Sequence, residues 1–98
     1  MELNTINEGE FYRIISNPGP VLVDFSASWC AECRKTDRML CDMADTPYPV
    51  YRLDVEESTD VANRYKVINV PSLVLFKNGR IEKKLDDNIN PGTFKEFF

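Results

Sequence analysis

Val21-Leu22-Val23-Asp24-Phe25-Ser26-Ala27-Ser28-Trp29-Cys30-Ala31-Glu32-Cys33 holds the change of pattern on which this chain turns. Its first five residues are apolar except for Asp24, with no polar alternation. That is the pattern of a strand buried on both faces, as in a parallel sheet. From about Trp29 to Asp45 the period changes, and Cys33, Thr36, Leu40, Met43 and Ala44 fall on one helical stripe with charged residues opposite. The segment predicts a strand feeding a helix, with two cysteines at the junction.

Residues three apart on a helix have neighbouring side chains, near enough for a disulfide once the first turn adjusts. Cys30, nearest the helix N-terminus, faces unpaired N–H groups and the positive end of the helix dipole. Both favour a thiolate, the reactive form. Cys33 lies one turn in, on the stripe shared with Leu40, and is expected to be shielded. Cys30 is therefore assigned as the nucleophile and Cys33 as the resolving thiol. Taken alone, such a pair also fits half of a metal site or two incidental buried thiols. The chain has three cysteines and no histidine. Neither a four-cysteine zinc site, a His-ligated metal nor a Cys/His nucleophilic pair can be built from one copy. Redox chemistry leads, with no metal and no cofactor expected.

The flanking sequence alternates strand and helix. Asn7 with Glu10 forms a capping box, followed by Phe11, Ile14 and Ile15 at helical spacing, and Asn17-Pro18-Gly19-Pro20 ends that helix. Val50 to Val55 reads as a strand. Ser58 to Lys66 reads as a short helix capped by Ser58 or Thr59, with Val61, Ala62 and Tyr65 inward. Leu73 to Phe76 is a strand, Lys77-Asn78-Gly79-Arg80 a hairpin turn, and Ile81 to Leu85 its return strand. Pro91-Gly92-Thr93 opens a last helix that reaches Phe97-Phe98. This order is α/β: a central mixed β-sheet with helices on both faces.

Ninety-eight residues suffice for one domain, spanning 1–98. No apolar run exceeds Leu73-Val74-Leu75-Phe76, so no membrane span is expected. Met1-Glu2-Leu3-Asn4-Thr5 lacks the basic and apolar regions of a secretory signal, which favours a cytoplasmic location. The net charge of −4, with scattered lysines and arginines, argues against nucleic acid.

The stretch from Val21 to Cys33 resembles the active-site segment of the thioredoxin family, which usually ends Trp-Cys-Gly-Pro-Cys. Val70-Pro71-Ser72-Leu73-Val74-Leu75-Phe76-Lys77-Asn78-Gly79 is similar to the family's cis-proline strand and following turn. The resemblance runs from about Phe11 to Phe97. It implies a thioredoxin-like fold and a monomeric protein-disulfide reductase, recharged by an NADPH-dependent flavoprotein. It also implies roles at matching positions. Trp29 packs beside the disulfide and, with Ala31, Glu32, Val70 and Pro71, shapes the client surface. Asp24 is a buried carboxylate that exchanges protons with Cys33, and Arg52 modulates it from the position of a family lysine. Pro71 is cis, leaving the Val70 backbone to pair with an extended client.

The departures are local. Ala31-Glu32 replaces Gly-Pro, which frees one N–H and puts a carboxylate near Cys30, with Arg34 placed to offset it. A destabilised thiolate favours a more reducing protein, whereas the family resemblance implies a more oxidising one when that proline is replaced. Arg38 stands where the family has a kinking proline, so a straighter helix is expected. Asp87 replaces a groove glycine, in an acidic loop suited to basic partners. Cys41, about 16 Å along the helix from Cys30, is too distant for a disulfide and reads as a buried structural thiol. Three competing functions stay open at this level: a disulfide oxidase or isomerase, a redox-inactive interaction module, and an iron–sulfur cluster bridging two chains.

Overall fold

Five strands and four helices make up the computed structural model, which describes residues 3–43 and 46–96. The strands are β1 (Asn4–Ile6), β2 (Pro20–Ser26), β3 (Val50–Asp54), β4 (Ser72–Lys77) and β5 (Arg80–Leu85). The helices are α1 (Glu8–Ile15), α2 (Ala31–Asp42), α3 (Thr59–Arg64) and α4 (Pro91–Lys95). The expected helical positions of Ala44, Asp45, Phe97 and Phe98 lie outside the described residues, as do Met1 and Glu2.

The sheet order is β1-β3-β2-β4-β5. β3 runs parallel to both β1 and β2, while β4 is antiparallel to β2 and to β5. β2 is thus central, with neighbours on both edges, which explains its unbroken apolar run. β1 is a strand that the sequence reading missed. It has three residues, of which only Ile6 is buried, so no alternation is long enough to register.

Local chemistry sets the ends of these elements. The Asn7 side chain accepts from the Glu10 N–H at 2.8 Å, and the Glu10 carboxylate accepts from the Asn7 N–H at 3.0 Å, completing the expected capping box of α1. Asn78 and Gly79 both have positive φ, 55° and 79°, as a two-residue hairpin between β4 and β5 requires. Pro91 opens α4 behind an Asn90 cap. Ser58 occupies the cap position of α3, but its side chain makes no capping bond.

The period-2 alternation of β2 divides the core. Val21, Val23 and Phe25 pack with Phe11 and Ile15 of α1 and Val61 of α3. Leu22 faces the other way, with Leu40 of α2, Phe94 of α4, Leu73 and Leu75. Helices therefore cover both faces. Phe11 anchors the first layer through edge-on contacts with Phe25, Phe76 and Tyr65. Asp24 shares Leu22's side of β2, so the fold places a carboxyl under α2.

Candidate active site

The β2 strand ends at Ser26, and the bend that follows places Cys30 at the cap of α2 with extended backbone, φ −93° and ψ 113°. Its sulfur does what a capping oxygen does elsewhere: the Cys33 backbone N–H donates to Cys30 Sγ at 3.1 Å. Hydrogen bonds to sulfur are strongest when it carries charge. The Cys30 thiol lies 3.8 Å from the Val70 carbonyl, to which it donates. Both motif cysteines are free thiols, Cys33 fully buried and Cys30 6% exposed. Ala27, Val55 and Val70 pack around them.

Burial pushes the Cys33 thiol up to about 12, reinforced by Cys30 and opposed by hydrogen bonds with the Ala27 backbone and the Ser26 side chain. Cys33 therefore needs a local proton acceptor before it can act as a nucleophile. The two sulfurs are not equivalent.

Most of the expected site residues gather here. The Val70–Pro71 bond is cis. Trp29, immediately before the pair, is 68% exposed, a large aromatic surface next to the thiols. Ala31 and Glu32 occupy the first exposed turn of α2. Glu32 pairs with Lys35 at 3.3 Å, whereas Arg34 donates to the Ser28 carbonyl at 3.1 Å. The expected offset of Glu32 thus comes from Lys35, because a helix brings residues three apart together.

A groove of about 560 Å³ runs from the first turn of α2 past Val70 and Pro71 to the Asp86–Pro91 segment. Asp87 lines it, as expected, together with Asp86. α2 is continuous from Ala31 to Asp42 through Arg38. Cys41 is half-buried rather than buried, because it sits toward the end of that helix and off the Leu40 stripe.

Asp24 is fully buried, and its pKa is held well above the ordinary carboxylate range. Burial is the main cause, the nearby Asp37 carboxyl adds to it, and Arg52 partly opposes it. Arg52 is in register with Asp24 across β2 and β3. Its guanidinium nevertheless bonds Asp37 at 2.8 Å and Thr5 Oγ1 at 2.8 Å, so it acts on Asp24 at one remove.

The sequence reading missed Asp37 and Ile68. Asp37 follows Cys33 by four residues and so lies on the same helix face, a signal that was available. Ile68 is 86% exposed in the loop before Val70, an apolar surface that no periodicity marks.

The thioredoxin family model matches residues 2–98. The chain belongs to the thioredoxin family. Thioredoxin-1 of Saccharomyces cerevisiae is 38% identical over 90 residues, covering 89% of this chain and 85% of that protein. A bifunctional thioredoxin reductase/thioredoxin of Mycobacterium leprae is 32% identical over 78 residues, 76% of this chain and 17% of that longer protein. Among solved structures, a mutant thioredoxin from Halobacterium salinarum superposes with a TM-score of 0.84 at 29% identity, covering 97% of this chain and 85% of that one. As a family member with a near Cys30–Cys33 pair, this thioredoxin-like chain is a thiol–disulfide oxidoreductase, a protein-disulfide reductase by class.

Proposed function

We propose that the chain reduces client disulfides by a cycle in which Cys30 attacks and Cys33 resolves. The observation that carries this reading is the Cys33 N–H aimed at Cys30 Sγ at 3.1 Å, with Cys33 itself buried and its thiol raised. In the first step the Cys30 thiolate attacks one client sulfur. The client S–S bond breaks, and the other client sulfur leaves with the electron pair and takes a proton. In the second, Cys33 loses its proton and attacks Cys30 Sγ. The mixed disulfide breaks, the Cys30–Cys33 disulfide forms, and the client leaves fully reduced.

Trp29, Ala31, Glu32, Val70 and Pro71 form the client-contacting surface in this reading, and Asp24 exchanges the proton of Cys33, with Arg52 acting through Asp37. The acidic groove at Asp86 and Asp87 favours basic client segments. An NADPH-dependent flavoprotein regenerates the dithiol in this reading, supported by a mycobacterial relative whose name joins a thioredoxin reductase to a thioredoxin. The protein works as a cytoplasmic monomer. No helix among the described residues is long and apolar enough to cross a membrane. The test is dithiothreitol-dependent insulin reduction: the parent protein is expected to accelerate it and Cys30→Ser to be inactive. A Cys30→Ser protein as active as the parent removes this reading.

A further inference from the structure

Three buried carboxyl oxygens on the α2 side of the sheet have no hydrogen-bond partner of their own among the described residues when both acids are ionised: both oxygens of Asp24, and Oδ1 of Asp37. The Asp37 carboxyl stands within hydrogen-bonding reach of Asp24. Its other oxygen, Oδ2, holds Arg52 at 2.8 Å. Two carboxylates so close cannot both ionise at low cost out of water. The guanidinium favours charge on Asp37, and the deeper burial of Asp24 disfavours charge there. A single proton carried by Asp24 and directed at Asp37 satisfies two of the three orphaned oxygens and leaves the pair one net negative charge.

A cavity of about 270 Å³ adjoins Asp37, lined among others by Ser26, Arg52 and the exposed Arg34. Ser26 is the residue whose hydroxyl works against the rise of the Cys33 thiol. One cavity therefore touches the partner of the buried thiol, the charged member of the carboxyl pair and the protein surface.

We propose that Asp24 and Asp37 share one proton and act as a unit, with Asp37 as a positioning residue that leaves the pair one vacancy for the proton of Cys33. This rests on the thiol–disulfide cycle above and deepens it. During resolution the Cys33 proton passes to the pair, which becomes neutral, while the Cys33 sulfur displaces the client sulfur from Cys30. The client departs as a thiolate with the electron pair. One proton then returns from the pair to solvent or to that thiolate, and the single negative charge is restored. The charged and titratable groups acting on Asp24 besides Asp37 are Arg52 from β3 and Cys30 at the start of α2; Arg34 and Asp54 line the adjoining cavity, and β4 presents Leu73 opposite Asp24.

The test is a carbon NMR titration of the Asp24 and Asp37 carboxyls in the reduced full chain, alongside the decay rate of a preformed Cys30 mixed disulfide with glutathione. The parent is expected to show an Asp24 titration in two steps rather than one. Asp37→Asn should lower the Asp24 midpoint by about one pH unit. It should also displace the pH–rate profile of resolution toward lower pH by a similar interval, with Cys30 alkylation unchanged. An Asp24 titration that is single-step in the parent overturns the proposal, even if the variant fails to fold; so does one unmoved in Asp37→Asn. Absence of disulfide exchange in the parent removes the functional reading and leaves the carboxyl result to stand or fall by itself.

Discussion

Asp24 and Arg52 occupy paired positions on neighbouring parallel strands, yet the arginine's ion pair is with Asp37 of the overlying helix. The buried acid therefore keeps no direct counter-charge, and a carboxyl close by adds to its difficulty in ionising. Stability should record this. A carboxyl whose folded pKa is raised stabilises the fold only while protonated. The contribution is complete below the unfolded pKa and is lost as pH rises from there to the folded value. Asp24→Asn should consequently melt higher than the parent at pH 7, by roughly 4–8 °C, the change that 1 kcal/mol makes in a domain of this size. The difference should shrink toward pH 4. Thermal melts across that range check it; a variant less stable at pH 7 contradicts the assigned burial cost.

The inequality of the two motif thiols gives a kinetic prediction. With Cys33 held up to about 12, alkylation of the reduced protein near pH 8 should label Cys30 and spare Cys33. Cys33→Ser should accumulate mixed disulfides with clients, because attack proceeds and resolution cannot. Peptide mapping and non-reducing gels report the two outcomes. Label on Cys33 before Cys30 reverses the assignment.

Trp29 is 68% exposed and lies outside both core layers. Trp29→Ala should change unfolding free energy by no more than about 0.5 kcal/mol, as surface changes do. Client kcat/KM should fall about tenfold if the ring is a contact anchor. Equal kcat/KM in parent and variant would show that the ring makes no useful client contact.

Charge in the groove should sort clients. Asp87→Lys is expected to lower kcat/KM for a disulfide peptide with basic flanks and raise it for an acidic one, each by a few fold. High salt should erase the contrast. Unchanged selectivity in low salt removes the groove from client choice.

Much of the fold was legible because its signals are local and periodic. The unbroken run Val21–Phe25 marked a central strand, and Asn7/Glu10 and Asn78-Gly79 specified their cap and turn by chemistry alone. Asn4–Ile6 escaped because a three-residue edge strand with one buried side chain owes its existence to pairing with Tyr51–Leu53. At the site, the spacing of Cys30 and Cys33 announced itself, while the partner of Arg52 did not. Register placed Arg52 beside Asp24. Only the packing of α2 over the sheet supplied Asp37, a competitor for the guanidinium that neither strand contains.

The most direct measurement is a redox titration of the reduced protein against glutathione buffers of defined ratio, with intact mass and alkylation reporting the state of each cysteine. A single two-electron transition should appear, in which Cys30 and Cys33 lose their free thiols together and Cys41 keeps its own. If Cys30 and Cys33 stay reduced at every poise, or oxidise independently of each other, the dithiol cycle does not operate in this protein.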